Sequence, residues 1–188
     1  MTKRPEDIAA RKALRARQGG GARYDAVTAP HDNRLLARRG AAYFARKLNE
    51  LSDADLYGLS LCNGWTRAHL VAHVSHEARA LAIALKSLRE PLIAEEAEWK
   101  PDLALAATLP SRALRHLYDH SAKHLDVEWR DLPPDRWNMT LTTLGGDTVT
   151  ARDTPMIRAE MVWRAAIDLG NGGRPTDVPR ALRQHSAK

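Results

Sequence analysis

Residues 66–88, TRAHLVAHVSHEARALAIALKSL, decide the fold. Leu70, Val74, Ala78, Leu81, Leu85 and Leu88 return in steps of four, four, three, four and three residues, the spacing of one buried helical face. Thr66 offers the side-chain oxygen wanted at an N-cap, and Pro91 stops the run, so the stretch predicts a long helix. Upstream, Leu35, Leu36, Ala41, Ala42, Phe44, Ala45 and Leu48 recur at roughly helical spacing from Asn33 through Leu51 and predict an earlier helix. Ser52, Asp53, Gly58 and Asn63-Gly64-Trp65 mark the loop between the two.

Downstream, Leu92 to Leu109 is acidic, then apolar, with Pro101 inside it, and reads as a long connection with at most a short helix. Ser111 after Pro110 is the expected cap of a third helix, with Leu114, Leu117, Ser121, Leu125 and Trp129 on one face and Pro133-Pro134 at its end. Trp137 to Leu144 and Thr148 to Ala151 flank Gly145-Gly146-Asp147, a hairpin signal. Thr154 before Pro155 opens a fourth helix, and Gly170 follows its last apolar residue, Leu169. The expected fold class is mainly α, a four-helix bundle with one long crossover and a β-hairpin between helices three and four. Residues 1–32 form a basic N-terminal arm, 33–180 the bundle domain and 181–188 a C-terminal tail.

The 188 residues, 44% hydrophobic and 28% charged, suit one soluble domain. No run approaches the ~18 to 20 apolar residues of a membrane span, and Met1 to Gln18 lacks the apolar centre of a secretory signal, so the protein is expected in the cytoplasm without a membrane partner. The net charge of +6 lies wholly in residues 1–40, which carry ten Lys and Arg against four Asp and Glu; the other 19 bases and 19 acids cancel. A nucleic-acid-binding domain would spread that charge over a folded face, which argues against such a partner.

A single cysteine, Cys62, excludes an internal disulfide and any cysteine-based zinc cluster, so a metal would need imidazole and carboxylate ligands. Cys62 itself reads as a small packed hydrophobe, with a nucleophile at a helix mouth as the alternative. Six of the eight histidines fall on two predicted helices: His69, His73 and His76 on the second, and His116, His120 and His124 on the third. Such spacing puts rings on one face, where they can chelate zinc, or simply flank the apolar seam. His73 borders the core stripe.

Asn63-Gly64-Trp65-Thr66-Arg67-Ala68-His69-Leu70-Val71-Ala72-His73 resembles the mycothiol-dependent maleylpyruvate isomerase family, whose metal domain is a DinB-like four-helix bundle. Leu109-Pro110 to Trp129-Arg130-Asp131-Leu132, the hairpin, Thr154-Pro155-Met156-Ile157-Arg158 and Ile167-Asp168-Leu169-Gly170 are similar in the same order, across roughly Asn33 to Pro179. The resemblance implies a zinc site of one His on helix two with a Glu and a His four residues apart on helix four. It implies a low-molecular-weight thiol cofactor, mycothiol or similar, and a small acidic substrate isomerised by thiolate addition and elimination. The second domain of full-length members is expected to be missing beyond Lys188, together with its substrate contacts.

The helix-two ligand falls on His73. Aligned without a gap, the Glu position holds Met161 and the second His position Ala165. A one-residue slip brings in Glu160, but pairs it with Arg164 and rotates the helix by about 100°. His73 is therefore the main metal candidate, and His76, His120, His124 and Glu160 are secondary ones that could rebuild a site. Tight zinc is not expected from one ligand in three. The alternative is a catalytically silent relative that binds a small molecule or dimerises.

Overall fold

The computed structural model describes residues 26–185. The helices in chain order are α1 (His31–Glu50), α2 (Arg67–Ser87), α3 (Ala94–Ala97), α4 (Leu103–Ala107), α5 (Ser111–Asp131), α6 (Thr154–Asp168) and α7 (Arg180–His185). Strands β1 (Thr140–Thr142) and β2 (Thr148–Thr150) lie between α5 and α6, antiparallel with Leu141 opposite Val149. The four long helices, α1, α2, α5 and α6, make the expected bundle. Among the described residues no helix is long and apolar enough to cross a membrane.

The bundle is two tightly packed pairs, α1 along α6 and α2 along α5, whereas α2 and α6 touch far more sparsely. Gly40 makes the first pair close: a Cβ there would stand 2.5 Å from Val162 Cγ2 and 2.7 Å from Trp163 Cδ1. Trp163 Nε1 donates to Leu36 O at 3.1 Å, and its ring stacks on Tyr43. Where α2 begins, Arg67 Nε donates to Leu169 O at 2.6 Å and the Leu61 amide to Asp168 O at 2.7 Å. These bonds tie the start of α2 to the end of α6, so a sparse contact between the two helices still has a fixed geometry.

Several local expectations hold. Thr66 caps α2, accepting from the His69 amide. Pro155 sits in the first turn of α6, and Gly170, at φ 65°, follows its end in the left-handed conformation that glycine tolerates. Others need correcting. Ser111 does not cap α5; it is the first helical residue, and its hydroxyl is spent on Asp53 O at 3.3 Å. Both strands are three residues long; Trp137, fully buried, lies ahead of β1, though its carbonyl still accepts from the Arg152 amide at 2.9 Å. The crossover holds two short helices, of which α4 packs on α2.

At the ends, residues 1–25 of the expected basic arm lie outside the described residues. From Ala26 the chain already belongs to the body: Thr28 donates to Pro134 O at 2.9 Å, Ala29 is buried, and α1 starts at His31 rather than Asn33. In the segment read as a tail, Leu182 is 2% exposed and joins the core through α7. Burying one leucine is worth about 1.5–3 kcal/mol, enough to hold a short helix down.

Candidate functional site

The face of α2 that meets α6 carries His73 and Glu77, both half-buried, with Val74 between them in the core. The His73 ring stands edge-on to Trp65, centroids 5.1 Å apart, so the residue before the N-cap walls one side of the imidazole. His76, one turn along, is buried against the Trp99 ring at 5.6 Å, and Arg79 covers the same indole. His76 Nδ1 meets no protein hydrogen-bond partner. His69, at the helix mouth, is held at Nδ1 by the Thr66 hydroxyl at 2.7 Å.

From α6 comes a residue that reading the helix faces did not single out. Arg158 is 2% exposed, and its Nη1 donates to Val74 O at 2.7 Å and lies 3.5 Å from Met161 Sδ. Its Nη2 is buried and meets no protein acceptor. Arg158, Met161 and Ala165 follow steps of three and four, so they share one stripe of the helix. A signal was present in the sequence: a charged side chain on that stripe, flanked by core residues Ala159 and Val162.

The electrostatics follow from burial. It pushes the His73 imidazole below its usual range, helped by the Arg158 charge, and does the same to His76, helped by Arg79 and His73. The Glu77 carboxyl is pushed up by burial, against the pull of Arg158. Arg158 is itself pushed down by burial, opposed by Tyr118 and Glu77, and a guanidinium stays charged in any case. The lowered His73 imidazole and the raised Glu77 carboxyl thus both feel one buried cation, Arg158.

Of the secondary candidates, only His76 lies near His73. His120 is exposed and His124 half-buried on α5, where His124 Nε2 lies 3.4 Å from Glu128 Oε1. Glu160 lines a groove of about 660 Å³ between α6 and the C-terminal segment, together with Arg164, Val178 and Leu182. Among the described residues no three or more His, Cys, Asp or Glu side chains group so as to hold a metal ion. Cys62 is half-buried, and burial and the Asp168 carboxylate push its thiol up, the reverse of what an activated nucleophile needs.

The fold is a DinB-like four-helix bundle with a polar centre of His73, Glu77 and the buried Arg158 between its second and last long helices. The chain belongs to the mycothiol maleylpyruvate isomerase family: residues 37–170 match the family described as "Mycothiol maleylpyruvate isomerase N-terminal domain". Two crystal structures of mycothiol-dependent maleylpyruvate isomerase are similar in structure. One, of a histidine-to-alanine mutant, gives a TM-score of 0.73 at 34% identity, and the other 0.72 at 33%. Each comparison covers 82% of this chain and 66% of the other, so the chain spans slightly less than two thirds of those relatives. Among curated proteins nothing matches.

Proposed function

We propose that this chain is a family member whose cleft has exchanged a metal for a buried cation, and that it binds a small acidic molecule or acidic thiol without zinc. The residues do not fit zinc. The ion needs about four ligands drawn from thiolate, imidazole or carboxylate, and a guanidinium that cannot lose its proton repels it. On the ungapped alignment the two α6 ligand positions are Met161, with its sulfur 3.5 Å from Arg158 Nη1, and Ala165, which is buried. No metal-assisted thiolate addition is derived for these residues.

One observation carries the reading: a buried guanidinium, Arg158, with one nitrogen lacking any protein acceptor, beside the His73 imidazole, which burial and that charge hold low. Such a charge costs several kcal/mol to bury and is relieved by an anion. A carboxylate or thiolate entering beside His73 would accept from Arg158 Nη2, while His73 and Trp65 flank its carbon skeleton. Charge-assisted bonds of this kind are about twice as strong as neutral ones and also orient the ligand.

The test combines metal analysis of untagged protein with calorimetry using maleate and N-acetylcysteine, a dicarboxylate and a carboxylate-bearing thiol. We expect no zinc that depends on His73, and binding of at least one probe that Arg158→Met abolishes. Stoichiometric zinc in the wild type, lost in His73→Ala, would overturn the proposal.

A further inference from the structure

The bundle carries a second group of imidazoles that the cleft does not use. On α5 the rings of His116 and His120 stack with centroids 6.2 Å apart and planes at 19°, and those of His120 and His124 follow at 6.3 Å and 52°. His116 and His120 are exposed. His124 is differently placed: it is half-buried and faces Glu128, a buried carboxylate that also accepts from Arg89 at 2.8 Å. Asp119, between the first two rings in sequence, is exposed and paired with Lys123 at 2.6 Å.

We propose that His116 and His120 form a surface site for a divalent cation that prefers imidazole, of the class of zinc, nickel or copper. A spacing of four residues stacks the rings one turn apart, and a long helix packed along α2 holds their backbones at that separation. Near-parallel exposed rings need little more than side-chain rotation to aim one nitrogen each at a common point. The second bond is then intramolecular, so the pair binds far more tightly than a lone histidine. Because no three donors group together among the described residues, the protein contributes two ligands and water completes the shell. Two imidazoles without a carboxylate discriminate against magnesium and calcium, which take oxygen ligands. Neutral imidazole is the ligand, so affinity weakens on acidification.

The site is independent of the cleft, and one experiment separates the two. Zinc chloride is titrated calorimetrically into the full chain, purified without a tag and stripped with a chelator, with magnesium chloride as control. The expected result is one zinc per chain, weakened at least about tenfold by His116→Gln and by His120→Gln and changed less than about twofold by His124→Gln or His73→Gln. Magnesium should give no binding heat. Failure of either ladder variant to weaken zinc, or no zinc binding at all, overturns this site and leaves the cleft reading standing. Loss of zinc in His73→Gln alone would overturn both, because the ion would then sit in the cleft.

Discussion

His73 and Arg158 meet in one cleft, and the protonation of the first depends on the charge of the second. Burial and Arg158 hold His73 neutral, while burial, Arg79 and His73 do the same for His76. Below the ordinary imidazole range near 6.5, the unfolded chain therefore binds protons that the folded chain refuses. The stability these rings contribute is present above that range and is lost as the pH falls through it towards their lowered folded values. Glu77, pushed up by burial, works in the opposite sense, with a contribution that fades as pH rises through its raised range. The double variant His73→Gln/His76→Gln keeps Glu77, so the comparison isolates the rings. Between about pH 7 and pH 5 the wild-type melting temperature should fall further than that of the variant, as read by scanning calorimetry. Parallel profiles would refute the assignment. The histidines were legible as a pattern, but their neutrality was not, because it comes from Arg158 and Arg79 and from burial that only packing produces.

At the level of elements, the α1–α6 pair shows how a single small residue sets a helix separation. Replacing Gly40 by alanine in mid-helix would by propensity gain about 1 kcal/mol. The added methyl would meet Val162 and Trp163 at 2.5–2.8 Å, and Trp163 cannot retreat without losing its bond to Leu36 O. Overpacking of this kind costs about 1–3 kcal/mol, so Gly40→Ala should be destabilising despite the propensity gain, and urea unfolding would show it. A rise in stability would mean that α1 and α6 can separate freely. The element boundaries were readable where a local signal acts alone, as with Thr66, Pro155 and Gly170. They shifted where a side chain had a better partner elsewhere, as where Ser111 gave its hydroxyl to Asp53 O.

Taken as one molecule, the bundle keeps the family's scaffold and buries the Arg158 guanidinium between its second and last long helices. The proposed exchange of metal for guanidinium can be tested by design. Met161→Glu with Ala165→His would supply the carboxylate and imidazole that the family resemblance implies on the last long helix. With Arg158 still buried beside them, we expect zinc binding to remain weak, and Arg158→Met in the same protein to strengthen it at least about tenfold, since removing an adjacent unpaired charge is worth more than 1.4 kcal/mol. Equal zinc affinity with and without Arg158, measured by competition with a chromophoric chelator, would show that the guanidinium does not govern the site.

Taken alone, the amino-acid sequence determined the four long helices, the hairpin between the last two and the family, because apolar periodicity and short capping signals are local and survive without knowledge of neighbours. The family resemblance also implies a carboxylate and an imidazole at the positions that Met161 and Ala165 hold. Tertiary structure alone decided that Arg158 is buried beside His73, that Glu160 faces the groove beside α7, and that His116 and His120 are exposed on α5. A side chain's surroundings depend on which helices pair closely and which diverge, and here the sparse α2–α6 contact is where the Arg158 charge is buried.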